Sequence, residues 1–169
     1  PMHTERLPGV IPFGGLTYHE YGAAVIPVAV LAFKLAFDYV AAWINPATHA
    51  NEPGSPPGRA IVSRVGGPGG NNGYQFGLGS GYLWGNFNTA GQDWNSGYSI
   101  SAPSPIPVNA WTHVAWTYDQ SEMRLYLNGV PVATEVIGLR TLADTTSNLR
   151  ISRDDNGNVP FNGLIDEVV

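Results

Sequence analysis

The chain has 169 residues, enough for one domain with a sizeable core, since domains usually run to about 100–150 residues. Its 21 glycines, 14 prolines and 11% aromatics beside only 12% charged residues describe many turns and few charged helical faces, which predicts an all-β chain. The formal charge is −5, the seven arginines and one lysine stand singly, and cysteine is absent. Nucleic acid and an anionic membrane surface are therefore poor partners, and disulfides, thiol nucleophiles and cysteine-bound metal are excluded.

In chain order, "LTYHEY" (16–21) and "AAVIPVAV" (23–30) read as strand material after an opening rich in Pro and Gly. A further strand is predicted at 33–44, where Phe33, Leu35, Phe37 and Tyr39 alternate with Lys34, Ala36 and Asp38. The apolar stretch 22–44 is broken by Pro27, Lys34 and Asp38, so no uncharged run is long enough to cross a hydrocarbon core of about 30 Å. No basic-plus-apolar leader opens the sequence, which leaves the compartment undecided.

"NPATHANEPGSPPG" (45–58) is expected to be a long loop, "AIVSRV" (60–65) a strand, and "GGPGGNNG" (66–73) a second loop. "YQFGLGS" and "YLWGNFN" form a strand pair joined near Gly81. Residues 89–109 read as mostly loop, with a short strand around Tyr98 to Ser101. The clearest signal is "WTHVAWTYDQSEMRLYLNGVPV" (111–132). Val114, Trp116 and Tyr118 share one face, Met123, Leu125 and Leu127 repeat the pattern after a polar turn, and Asn128-Gly129 is a hairpin turn pair. "LRISRD" (149–154) and "FNGLIDEVV" (161–169) are the last strands. About ten short strands with no long amphipathic helix and no internal repeat predict two antiparallel sheets packed face to face as a jelly roll.

"FDYVAAWINP" (37–46), "AIVSR" (60–64), "YQFGLGSG" (74–81), the 111–132 hairpin and "FNGLIDEVV" (161–169) resemble, in order, the landmarks of laminin-G-like or concanavalin-A-like jelly rolls, especially bacterial modules of extracellular enzymes and adhesins. The resemblance implies one domain over 1–169 and an extracellular or cell-surface location. Two departures stand out. "LPGVIPFGG" occupies the place of an extra first strand with an aromatic-Asp-Glu landmark, and the sequence stops at Val169, where the family continues its final strand. An open sheet edge, and an oligomer formed through it, is the expectation that follows.

Relatives of this jelly roll include glucanases, whose Glu-x-Asp-x-x-Glu run sets acids side by side on one strand face. No such run occurs here. Asp166 and Glu167 are adjacent and face opposite ways on a regular strand, while Asp119 and Glu122 straddle a turn. Neither pair supplies the two facing carboxylates that glycoside hydrolysis requires. His19, His49 and His113 lack a nucleophile motif around any serine, and His113 reads as a strand histidine. The expectation is a protein without catalytic residues.

Calcium takes six to eight hard oxygen ligands. "DDNG" (154–157) offers several, although it fails the EF-hand pattern. The pentraxin branch implies a partner for it: the early landmark falls on Asn71-Asn72 and the acidic one on Asp154-Asp155. An asparagine replaces the early aspartate, removing one negative charge. Plain solvation of these loops, or a different pairing through Glu20 or Asp166, remains open.

A glycan needs an aromatic surface for its rings and polar groups for its hydroxyls. Residues 82–98 offer Tyr82, Trp84, Asn86, Trp94, Asn95 and Tyr98. Trp94 sits in the polar loop and is the better platform, whereas alternation can bury Trp84 between the sheets; Trp43, Trp111 and Trp116 fit the core pattern. The predicted function is a non-catalytic binding module for glycan, with calcium as a cofactor, the alternative being a protein-interaction or assembly module.

Overall fold

The computed structural model describes residues 38–49, 59–66, 72–92, 96–143, 145–153 and 160–169. The strands expected at 16–21 and 23–30, and the front of the one at 33–44, lie outside the described residues. Among those described, ten strands form: β1 (Asp38–Pro46), β2 (Arg59–Gly66), β3 (Asn72–Gly79), β4 (Tyr82–Asn88), β5 (Tyr98–Pro105), β6 (Thr112–Tyr118), β7 (Glu122–Leu127), β8 (Val130–Val136), β9 (Arg150–Ile151) and β10 (Gly163–Asp166). They make two five-stranded antiparallel sheets, ordered β10-β1-β6-β7-β8 and β5-β4-β3-β2-β9. This is the predicted all-β sandwich with jelly-roll connections.

Alternation builds the core. Val40, Ala42 and Ile44 of β1, Val114, Trp116 and Tyr118 of β6, and Met123 and Leu125 of β7 line one inner face. Phe76 and Leu78 of β3, Leu83 and Phe87 of β4, and Ile61, Val62 and Ile100 line the other. Each large apolar side chain taken fully out of water contributes about 1.5–3 kcal/mol, so this double layer is what holds the sheets together. Trp116 is its centre: its ring stacks on Phe76 at 6.3 Å and lies 6.3 Å from Phe87 and 6.2 Å from Tyr74.

Two hairpin turns require the left-handed backbone. Ser80 and Gly81 have φ of 50° and 88°, and Asn128 and Gly129 have 49° and 80°. Positive φ at both central positions matches the strand twist of a two-residue hairpin, and Gly129 adopts it without a Cβ penalty. The β6-β7 turn is held differently: Asp119 Oδ1 accepts from the backbone N–H of Ser121 (3.0 Å) and Glu122 (2.9 Å).

Several expectations need correction. β1 runs into the segment expected to be loop, ending at Pro46 opposite Gly163. β5 extends to Pro105 instead of stopping near Ser101. It is an edge strand, where Pro103 and Pro105 can sit without breaking a ladder on both sides. β3 starts at Asn72, inside the expected second loop, and the strand expected at 149–154 is reduced to Arg150–Ile151. Trp43 and Trp111 are not in the core. They are 37% and 46% exposed, because Val40, Ala42 and Ile44 take the inner face of β1 and Trp111 precedes β6.

The final strand settles a question its sequence leaves open. Ile165 stands opposite Ile44 and shares its inner side, so Asp166, opposite Trp43, turns to the outer face. Asp166 Oδ1 accepts from the N–H of Glu167 at 2.8 Å, and Glu167 breaks the strand with φ of 47°. Val169 then returns to Ala41, each N–H bonded to the other's carbonyl at 3.0 Å.

Candidate functional site

The outer face of the β5-β4-β3-β2-β9 sheet is built in transverse rows, because residues directly opposite in register point the same way. One row is Arg150, Ser63, Gln75, Asn86 and Ser99, each the register partner of the next across all five strands. The adjacent row carries Gly77, Trp84 and Ser101, and the next Gly79, Tyr82 and Pro105. Successive rows on a strand lie two residues, or about 6.7 Å, apart. Tyr82, Trp84 and Asn86 alternate with the core residues Leu83 and Phe87, which fixes them outward.

The glycines of β3 shape this face. Gly77 and Gly79 stand beside an aromatic pair and raise no side chain between it and the polar row. A Cβ on Gly79 would lie 3.3 Å from Trp84 Cδ1 and 3.4 Å from Nε1, so the indole leans over the glycine as a ledge. Tyr82, 41% exposed, continues that ledge toward the β3-β4 turn. The polar row is deeper: Ser63, Gln75 and Asn86 are buried. Ser63 donates its hydroxyl to the Arg153 carbonyl at 2.9 Å, and Arg64 donates to the carbonyls of Thr145 (2.9 Å) and Ser147 (3.3 Å), closing the β2 flank. Asn86 is only 8% exposed and its Oδ1 has no hydrogen-bond partner. A buried acceptor without a donor costs about 1–3 kcal/mol and calls for an explanation.

Of the residues singled out in the sequence, Tyr82, Trp84 and Asn86 come together here. Trp84 is half-buried on the outer face and not between the sheets, contrary to the core reading, because odd-numbered Leu83 and Phe87 occupy the inner side. Tyr98 leaves the set. Opposite Phe87 in register, it turns inward, its ring 5.5 Å from that of Phe87 and 5.1 Å from the Arg140 guanidinium carbon. Trp94, Asn95, Asn71, Asp154 and Asp155 lie outside the described residues, and Asn72 is described only as the first residue of β3, opposite Gly66. Sequence reasoning missed Gln75, Ser63, Ser99 and Ser101. The period-2 set Gly73, Gln75, Gly77 and Gly79 was the available signal for a face kept low for a ligand.

Among the described residues the carboxylates do not converge on this face. Asp119 binds its own turn and faces Arg124 at 3.3 Å; Glu122 pairs with the same arginine; Asp166 lies on the opposite sheet beside Trp43. Among the described residues no group of three His, Asp or Glu side chains is placed to hold a metal. His49 packs its ring on Gly81, with Nε2 2.6 Å from the Ile106 carbonyl, and His113 sits edge-on to Trp43 at 5.4 Å. What this face can do is stack a flat apolar ring and exchange neutral hydrogen bonds.

A laminin G-type model of the concanavalin A-like lectin/glucanases superfamily matches residues 25–169. No curated protein matches the chain. Among solved structures, the CBM40 of the Ruminococcus gnavus IT-sialidase, also solved with α2,3 sialyllactose bound, is similar at 20% identity and TM-score 0.61, over 85% of this chain and 80% of that one. A Bacteroides ovatus protein provisionally assigned as carbohydrate binding is similar at 24% identity and TM-score 0.56, over 79% of this chain and 36% of that one. This chain thus spans about a third of that protein. Domain 4 of the extracellular GH43 arabinanase AbnA of Geobacillus stearothermophilus, solved with arabinotriose, is similar at 20% identity and TM-score 0.54, over 79% of this chain and 58% of that one. At these identities the likeness speaks to the fold.

Proposed function

The chain belongs to the concanavalin A-like lectin/glucanases superfamily, and on that premise we propose that it is a non-catalytic extracellular or cell-surface module that binds glycans on the outer face of its β5-β4-β3-β2-β9 sheet. The observation that carries this reading is the register that sets Tyr82 and Trp84 beside Gly77 and Gly79 and next to the row Gln75, Asn86, Ser99. A sugar ring stacks on the Trp84 ledge while its hydroxyls reach the exposed Ser99 and Ser101 on the neighbouring edge strand. The sugar complexes of the R. gnavus and G. stearothermophilus modules support a glycan as the partner class. A glycan array probed with the intact chain and with Trp84→Ala tests it: binding by the first and not by the second is expected, and equal binding by both removes the face from the reading.

Calcium belongs to the proposal through Asn71, Asn72, Asp154 and Asp155, whose carboxylate and amide oxygens are the hard donors that ion takes. Arg153, the residue before Asp154, rests its carbonyl on Ser63, and Asn72 lies opposite Gly66 on the same strand. Three residues of β2, about 10 Å, separate those two anchor points. Titration calorimetry with calcium, repeated on the Asp154→Ala, Asp155→Ala double variant, is the check; no heat from the unaltered chain disposes of the site.

The second reading, a protein-interaction module, draws on the opposite sheet. Its outer face exposes Trp43 and Leu164 beside Asp166, with Trp111 just before the start of β6.

A further inference from the structure

We infer that the Trp84 face takes a linear glycan of at least two sugar units, laid across the strands with one unit on Trp84 and the next on Tyr82. The inference rests on the glycan reading of that face and adds the length and the direction of its ligand.

The two rings are separate platforms. Tyr82 and Trp84 lie two residues apart on the outer face of β4, so their Cα atoms stand about 6.7 Å apart. Among the described residues neither ring packs on another aromatic ring. Tyr82 is exposed and Trp84 half-buried, which leaves surface on both for a ligand. One sugar ring covers one such side chain. A ligand that uses both is therefore an oligosaccharide. The platform does not lengthen along β4, because the next outward residues on that strand, Asn86 and Asn88, are buried and not aromatic.

Gly79 sets the direction. The Cδ1–Nε1 edge of the Trp84 indole reaches the space that a side chain on Gly79 would fill, 3.3 and 3.4 Å from that Cβ position, which carries the ring from β4 toward β3. Gly79 is the register partner of Tyr82, and Tyr82 in turn stands opposite Pro105. Indole edge, phenol and pyrrolidine therefore follow one another over β3, β4 and β5 in one transverse row, with strands about 4.7–4.9 Å apart. The exposed Pro105 closes the row on an edge strand, where a longer chain can run past the sheet. Hydroxyl groups accompany the rings on the same side. While β4 advances from Tyr82 to Trp84, its partner on β5 shifts from Pro105 to Ser101, a bulge that brings extra residues of β5 beside the two rings. Ser101 and Ser104 of that stretch are exposed, and each hydroxyl both donates and accepts, as the hydroxyls of a stacked sugar require.

The test is an array of cello-, laminari-, xylo- and arabino-oligosaccharides graded in length from one unit upward, followed by calorimetry of the best-bound series on the full chain. The two-unit member is expected to bind at least about tenfold tighter than the one-unit member, a gap of about 1.4 kcal/mol. In a folded Tyr82→Ala variant that ratio should fall toward one, and a folded Trp84→Ala variant should lose binding at every length. Equal affinity for one and two units, or a ratio that Tyr82→Ala leaves intact, would overturn the two-platform inference and leave the glycan face standing. If nothing on the array binds through Trp84, the glycan reading itself falls, and the length dependence with it.

Discussion

Gly85 and Trp116 meet across the sandwich: a Cβ at Gly85 would come 2.6 Å from the indole Cδ2, so the ring of one sheet sits where the other sheet has no side chain. The pair fixes how closely the sheets approach at the centre of the core. Gly85→Ala therefore overpacks a site that holds Phe76 and Phe87 as well. A loss of about 1–3 kcal/mol is expected. Denaturant unfolding reads it as a lower midpoint at unchanged slope, and a midpoint that does not move would show that Trp116 has room to shift.

Trp84 and Trp116 separate binding from stability. Trp116 is 5% exposed, and Trp116→Ala should cost about 3–5 kcal/mol as a cavity opens between the sheets. Trp84 lies on the outer face with its ring against Gly79, and Trp84→Ala should leave the unfolding midpoint nearly in place while abolishing glycan binding. Circular dichroism melts paired with calorimetry of each variant would show the split. A Trp84→Ala protein that unfolds as readily as Trp116→Ala would return Trp84 to a structural role.

The strands were legible because their signals are local. In "WTHVAWTYDQSEMRLYLNGVPV" the alternation, the Asp119 turn and the Asn128-Gly129 pair all agree, and β6, β7 and β8 form where those signals put them. The facing of aromatics was not legible in the same way. Trp43, Trp84 and Trp111 suit either side of a pleated sheet, and large residues at both odd and even positions of "YLWGNFN" leave the inner face of β4 undecided. It is decided by a residue thirty-one positions away in sequence, Trp116, which needs Gly85 inward and so sends Trp84 outward. Gln75, Ser63 and Ser99 join Asn86 only through strand register, a tertiary relationship that no single segment encodes.

Tyr118 ties β6 to the segment after β8. Its hydroxyl accepts from the Arg140 N–H at 2.7 Å and donates to the Arg140 carbonyl at 2.9 Å. Burial, only partly offset by the Arg140 backbone and charge, raises its pKa above the ordinary value of 10.0. A raised folded-state pKa means the unfolded chain gives up the proton first. The stabilisation is therefore complete below pH 10 or so and declines as pH climbs through the folded-state value. Tyr118→Phe should lower stability at neutral pH by about 0.5–1.5 kcal/mol for the lost hydrogen bond. It should also flatten the decline above pH 10. Urea unfolding across that range, on both proteins, checks the two effects together, and parallel curves would remove Tyr118 from the alkaline transition.

Asn86 tests whether its buried polar side chain costs the fold stability. Its Oδ1 is buried and unpartnered, so a side chain of the same branched shape without that oxygen removes a desolvation cost that nothing in the protein offsets. Asn86→Leu should consequently be neutral in stability or gain up to about 1 kcal/mol, where most substitutions at a site 8% exposed would lose stability. Glycan affinity should stay unchanged, because less than 1 Å² of that oxygen is open to a ligand. Thermal melts and calorimetry on the same preparation give both numbers. A stabilised variant that keeps its affinity marks the oxygen as an uncompensated desolvation cost; a destabilised one would leave the orphaned oxygen to a bound water.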